Sequence, residues 1–205
     1  MQIVELKPSR HRQGRFLAKL EDGDILRLTE EELLRFRLRQ GMELDGETLE
    51  ALRASAKASK AKAAAANIIG SRALSKRELT RRLVKKGNDE TDAQVAADWL
   101  EDIGAVNDAA YAASLARHYG EKGYGPQRVR EELRRRGVDR ALWDEALEEM
   151  PDPAEILDLL IQKKSGGDLR DRKELKRISD GLLRRGFAWG DVKDALRRYT
   201  EIEED

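Results

Sequence analysis

The chain has 205 residues, 40 acidic and 40 basic side chains, 40% hydrophobic residues and only 5% aromatics, too little apolar mass for one deep core. This balance suits thin helical elements that each bury a single face. No cysteine is present, which excludes a disulfide frame, a thiolate nucleophile and a cysteine-based metal site. The opening "MQIVELKPSRHRQGRF" has no apolar signal core, and no apolar run is long enough to span a bilayer. A soluble, cytoplasmic, monomeric protein without a membrane partner is therefore expected.

Residues 1–28 read as strands. "QIVELK" alternates, "GRFLAKL" follows a basic turn, and "EDGD" before "ILRL" signals a hairpin with Asp22-Gly23 at its turn. Thr29 and Glu32 form a capping box that opens a short helix, "EELLRFRLRQ", ending at Gly41. Residues 1–45 thus make a small strand-and-helix module. The alanine- and lysine-rich stretch that follows favours helix strongly. Residues 46–62 are read as a helical connector, and Ala63 to Leu74 as either its continuation or the first helix of the next unit.

From there the chain repeats. "SKRELTRRLVKKG" ends at Gly87, "GPQRVREELRRRG" at Gly137 and "RKELKRISDGLLRRG" at Gly186, spacings of 50 and 49 residues. Eight and four residues before each glycine stand Leu79 and Leu83, Val129 and Leu133, Ile178 and Leu182. Such i, i+4 pairs give each basic helix one narrow buried stripe. Nine residues after each glycine comes Ala96-Ala97, Ala146-Leu147 or Ala195-Leu196. Leading helices are placed at Asn107–Tyr119 and Pro153–Lys164 by Asn107-Asp108 and by Asp152-Pro153 with Glu155. The predicted fold class is mainly α: three tandem three-helix repeats, over 63–104, 105–150 and 151–200, stacked as an elongated curved rod behind the N-terminal module.

Net neutrality hides segregation of charge. Arg72–Gly87 sums to +6 and Asn88–Asp102 to −6; Pro126–Gly137 sums to +3 and Val138–Met150 to −4; Arg170–Gly186 sums to +4. Basic second helices lying beside acidic third helices would pair with them and complement helix dipoles. Alternatively, stacked repeats would align the basic helices as a cationic stripe for phosphates or an acidic protein surface. Its candidate members are Arg81, Arg82, Lys85 and Lys86, then Tyr124, Arg128, Arg130, Arg134, Arg135 and Arg136, then Arg184 and Arg185.

Catalytic chemistry finds little support. His11, in a basic turn, and His118, near a helix end, have no nucleophile or metal cluster at useful spacing, and acid pairs such as Asp89-Glu90 and Glu148-Glu149 read as solvated helix surface. No catalytic, cofactor or metal site is predicted. "GYGPQR" lacks the preceding strand of a phosphate loop. In it, Gly123 and Gly125 allow a sharp reversal, Tyr124 supplies an apolar plug and Pro126 presets the first helical turn. A short glycine turn between helices also resembles helix-turn-helix wiring. The acidic third helices, however, would occupy the place of a recognition helix, leaving only sequence-independent nucleic-acid binding.

Asn107-Asp108, Tyr111-Ala112 and "GYGPQRVREELRRRGVD" resemble the central signature of the RecX family of recombination regulators. There, D-x-x-[FY]-A precedes G-x-G-P-x-[KR]-[IV]-x-x-E-L-x-x-[KR]-G-[IV]. "SRALSKRELTRRLVKKG" is similar to the family's S-R-x-x-L-[KR]-x-K-G, and "WLEDIGAVND" to its join between units. The resemblance covers about residues 62–200, and the N-terminal strands resemble an extension of some members. It departs at Asn88, where a large apolar residue is usual, and at "SGGDLRD" in place of the G-x-G-P turn. The resemblance implies a protein that lies in the groove of the RecA–DNA filament across neighbouring protomers. It would modulate, mostly inhibit, filament growth, ATP hydrolysis and strand exchange. The stripe would then face acidic RecA surfaces, the bound single-stranded or duplex DNA, or both.

Overall fold

A computed structural model describes residues 1–10, 12–164 and 171–201. It is mostly helical with a small N-terminal sheet. The expected roles of His11 and of the "SGG" segment lie outside the described residues. The chain divides into two compact units: Met1–Arg72 with Leu79–Val106, and Ala73–Glu78 with residues 107 onward.

In the first unit, strands β1 (Ile3–Pro8), β2 (Arg15–Leu20) and β3 (Ile25–Thr29) form an antiparallel meander in that order. Gly23 takes a positive φ at the predicted hairpin turn. The alternation in sequence becomes a two-faced sheet: Ile3, Ala18, Leu20, Leu26 and Leu28 are buried. Thr29 caps helix α1 (Glu30–Arg35) through the full capping box with Glu32. Glu32 is itself buried and accepts hydrogen bonds from Ser55 and Ser59 at 3.0 and 2.7 Å. Burial would raise its carboxyl, but those hydroxyls and the Thr29 N–H outweigh it and hold it below the ordinary glutamate value.

Helix α1 is shorter than the predicted run to Gly41. Arg37 adopts φ 51, the left-handed position a glycine usually fills at a helix end, and the Leu38 N–H closes back on the Leu33 carbonyl at 2.9 Å. That turn sends Leu38 into the core of the module. The two readings of the alanine-rich stretch merge into one helix, α2 (Gly46–Ile69). Leu49 and Leu52 at its start join the core of the sheet, while Ala61, Ala65 and Ile68 are buried near its end. Its last turn stops at Ile69, short of the predicted Leu74, with Gly70 as cap.

Helix α2 packs on α4 (Glu90–Asp102), whose Ala93, Ala96 and Ala97 are fully buried. Lys62 lies over the Trp99 ring at 5.2 Å across that packing. Between them in sequence runs α3 (Lys76–Lys85), burying Leu79 and Leu83; its first residues, to Glu78, belong with the second unit.

The second unit holds two three-helix repeats. The first comprises α5 (Asp108–Glu121), α6 (Pro126–Arg135), a 3-10 turn at Arg140–Leu142 and α7 (Trp143–Glu148). The second comprises α8 (Pro153–Lys164), α9 (Arg172–Arg184) and α10 (Trp189–Glu201). All six predicted stripe residues, Leu79, Leu83, Val129, Leu133, Ile178 and Leu182, are at most 1% exposed. So are Ala96, Ala97, Ala146 and Ala195. The three basic helices end alike. Gly87, Gly137 and Gly186 take positive φ, and the next residue's N–H returns to the carbonyl of Leu83, Leu133 or Leu182. Val138 and Phe187 bury their side chains there, whereas Asn88 instead donates its side-chain amide to the Leu83 carbonyl at 2.9 Å.

Leu133 is fully buried and shares one hydrophobic cluster with Tyr111, Leu115, Ala146 and Met150. Truncation to alanine leaves a cavity that a close-packed bundle refills poorly. Leu133→Ala is therefore expected to destabilise the protein by about 2–5 kcal/mol in urea unfolding.

Candidate functional site

The predicted surface centres on the segment from Glu121 to Asp139. Its Gly-Tyr-Gly-Pro is neither a phosphate cradle nor only a reversal. Gly123 has φ +76 and makes the turn, but Gly125 has an ordinary φ of −83. Gly125 is a glycine for lack of room: a Cβ there would stand 2.5 Å from the Gly186 carbonyl oxygen. A Cβ on Gly186 would stand 2.4 Å from the Arg128 nitrogen. Two backbones thus meet with no side chain between them. The Gly125 N–H donates to the Arg185 carbonyl at 2.8 Å and the Gln127 N–H to the Gly186 carbonyl at 3.0 Å.

The start of α6 has no side-chain cap, and Pro126 carries no N–H. The Gly125 and Gln127 N–H groups are satisfied instead by the two carbonyls that follow α9, Arg185 and Gly186, so a helix N-terminus, partly positive, abuts a helix C-terminus, partly negative. The start of α3 meets the end of α6 in a related way. The Ser75 hydroxyl accepts from the Glu78 N–H and donates to the Arg136 carbonyl, while the Lys76 N–H donates to Asp108 at 2.8 Å. Ser75 and Gly125 each stand twelve residues before the glycine that ends their helix. Helix α9 begins differently, with the Asp171 carboxylate accepting from the Lys173 N–H.

These junctions sort the predicted cations into two kinds. Arg185 is built into the fold: it donates to the Lys122 and Gly123 carbonyls at 3.1 and 3.0 Å and lies over the Tyr124 ring at 5.6 Å. Tyr124 in turn leans on Tyr119. Arg136 donates to Glu132 and to the Tyr111 hydroxyl, the latter at 2.8 Å. Arg135 makes a two-pronged contact with the same carboxylate at 2.9 and 2.6 Å, yet its side chain remains 71% exposed. Arg128 pairs with Glu131 at 2.9 Å, and Arg130 lies 3.8 Å from Asp144. Arg82 is half-buried and engaged. Arg81, Lys85, Lys86, Arg134 and Arg184 are exposed and have no partner among the described residues. Two residues before the terminal glycine, all three basic helices carry an exposed cation: Lys85, Arg135 and Arg184.

Glu132 is the member that the sequence reading missed, although its i, i+3 and i, i+4 spacing to Arg135 and Arg136 carries the signal. Its side chain is 3% exposed. Burial alone would raise its carboxyl, but the arginine N–H groups outweigh burial and hold it below the ordinary value. A carboxylate lowered on folding stabilises fully above its unfolded value of about 4.3, and that stabilisation is lost as pH falls through the lower folded value. No cluster of three or more potential metal ligands occurs among the described residues, and none of their helices is long and apolar enough to cross a membrane. His118 is exposed, its ring edge-on to Tyr119.

Within the second unit, the architecture is that of a helical-repeat protein whose two three-helix repeats meet where the start of α6 abuts the end of α9. Residues 107–147 match the family model described as RecX, second three-helix domain. Among curated proteins, the regulatory protein RecX of Pseudomonas entomophila is 38% identical over 116 residues, 54% of this chain and 73% of that one. Its counterpart from Vibrio campbellii is 32% identical over 121 residues, 58% of this chain and 78% of that one. A crystal structure of a regulatory protein RecX superposes with TM-score 0.74 at 24% identity, over 94% of this chain and 98% of that one. RecX from Lactobacillus salivarius gives 0.61 at 22% identity, over 69% and 96%. The chain belongs to the RecX family of regulatory proteins.

Gly186→Ala is expected to lower stability by roughly 2–5 kcal/mol, combining left-handed backbone strain with a clash against Arg128. Gly125→Ala should also destabilise, through the clash alone, and thermal unfolding of both variants reads the difference. Glu132→Gln should cost about 1.5–3 kcal/mol at pH 7 by weakening charge-assisted hydrogen bonds. In urea unfolding across a pH series, the gap between Glu132→Gln and the parent should shrink as pH falls below about 4.3.

Proposed function

We propose that this chain binds the RecA–DNA filament, lying in its groove across neighbouring protomers, and that it modulates, mostly inhibits, recombinase and ATPase activities. The observation that carries this reading is the recurrence of a solvent-facing cation at one position of every basic helix, Lys85, Arg135 and Arg184. A repeated surface suits a partner made of repeated subunits. Contacts that are weak singly gain avidity when joined on one chain, because each engagement raises the effective concentration of the next. Membership in a family of regulatory proteins, and a set of polar side chains absorbed in structural contacts rather than gathered around a pocket, support a binding role over a catalytic one. Within the second unit the proposed contact residues are Arg134, Arg135 and Arg184. In the first they are Arg81, Lys85 and Lys86. Arg136, Arg185 and Tyr124 serve the interface indirectly, by fixing the helices that carry it.

The alternative is a sequence-independent nucleic-acid-binding protein, favoured by the same unpartnered cations, whose chemistry suits phosphates equally. Against it, α7 places Asp144, Glu145 and Glu148 in the repeat that carries Arg134. A salt series separates the two: binding to preformed RecA–ATP–DNA filaments should exceed binding to bare single-stranded or duplex DNA. Equal affinities with equally steep salt slopes would favour the alternative. The charge-reversed pair Arg134→Glu with Arg184→Glu is expected to weaken inhibition of RecA ATP hydrolysis by about tenfold or more, since both replace contacts with repulsion. Far-UV circular dichroism should be unchanged, because neither side chain has a structural partner among the described residues. Undiminished inhibition would move the binding face elsewhere.

A further inference from the structure

The N-terminal sheet has one face that the fold leaves uncovered. Ala18 and Leu20 of β2 point into the module core, so Arg15, Leu17 and Lys19 point out. The register places Lys7 of β1 and Arg27 of β3 directly opposite Leu17 on either side. Cross-strand partners share a face. Leu17, half-buried, is therefore ringed by four cations: Arg15 and Lys19 two residues away along its own strand, Lys7 and Arg27 one strand away on each side. Along the strand the ring spans about 13 Å, and across the sheet about 10 Å. Beside Lys19 lie Glu5 and the exposed Ile25, and beside Arg15 lies Thr29. Glu5 is the one acid among these cross-strand partners, and it pairs with Lys7 at 2.9 Å. Arg15, Lys19 and Arg27 have no side-chain hydrogen bond or ion pair among the described residues.

We infer that this face is a binding surface for single-stranded nucleic acid, separate from the helix cations and independent of the filament reading. Two unneutralised cations, Arg15 and Arg27, and two that share Glu5, Lys7 and Lys19, leave the face with a clear positive excess that would concentrate a polyanion there. A phosphodiester backbone matches the ring, because its charges recur along a flexible chain that can bend around Leu17. The apolar centre selects an unpaired strand over a duplex. An unpaired base can turn onto Leu17 and Ile25, whereas the rim of a duplex would set only phosphates and sugars against them. The face carries no aromatic ring, so binding is dominated by phosphate contacts and is indifferent to sequence.

The test uses the full chain and a fluorescein-labelled oligothymidylate, with anisotropy read across a salt series. Replacing Lys7, Arg15, Lys19 and Arg27 together by Gln should weaken binding about tenfold or more at low salt. It should also flatten the slope of log affinity against log salt by roughly 3, at about 0.7 per lost phosphate contact. Unchanged affinity and slope overturn the proposal. A duplex of equal length bound as tightly as the single strand, with the same loss in the variant, overturns the choice of an unpaired strand. Polyglutamate displacing the oligonucleotide at equal charge concentration overturns it in favour of an acidic protein surface. If the variant fails to fold, amide chemical-shift changes in the unaltered protein read the same face. Maxima at Leu17, Lys19 and Arg27 support it, and changes confined to the helices overturn it.

Discussion

The second unit depends on a contact between two pieces of main chain. Gly125 at the start of α6 and Gly186 at the end of α9 touch backbone to backbone, exchanging the N–H groups that one helix lacks partners for against the carbonyls that the other has left over. A helix of ten residues gains little from its own length, so closing its exposed end against a neighbour matters more here than in a longer helix. The same contact aligns the two helix dipoles favourably. Everything beyond it follows from holding that spacing. Phe187 drops into the core of its repeat, Arg185 reaches back to the end of α5, and Tyr124 is pinned between Tyr119 and that arginine.

Charge on these helices has divided labour. Arginines nearest the terminal glycines, Arg136 and Arg185, are turned inward, where hydrogen bonds to Glu132, Tyr111 and main-chain carbonyls compensate for lost water. Their immediate predecessors, Arg135 and Arg184, face out. A basic segment read as one uniform surface thus mixes structural and solvent-facing positions, because neighbouring residues on a helix of 3.6 residues per turn point about 100° apart. The local ion pairs at the exposed positions contribute little to stability; the buried Glu132 contributes more because three N–H groups of two arginines converge on it.

Much of the fold was legible because it rests on periodicity. Six apolar residues in fixed phase with three glycines marked the second helices, and the alternation of "QIVELK" with the Asp22-Gly23 hairpin signal marked the sheet. Boundaries failed where a residue broke its own preference: Arg37 occupies a left-handed position normally given to glycine, so α1 ends early. The candidate surface was legible as composition but not as geometry. Gly125 looked like a flexible turn residue because sequence cannot distinguish a glycine needed for its dihedral angles from one needed for its missing side chain. Glu132 was overlooked because a lone acid amid arginines reads as surface charge until its burial is known.

That buried carboxylate bears on the conformational freedom of Arg135. An exposed arginine normally samples many rotamers and must give them up on binding, at about 0.5–1.5 kcal/mol for a side chain of this kind. Arg135 is partly restrained already, because both prongs of its contact rest on a buried carboxylate. Its remaining N–H groups are presented from a stiff guanidinium, ready for planar acceptors such as a carboxylate or phosphate. Arg134 and Arg184, without such a brace, remain adaptable. Among these three arginines, one guanidinium is thus held by a two-pronged contact while two remain adaptable.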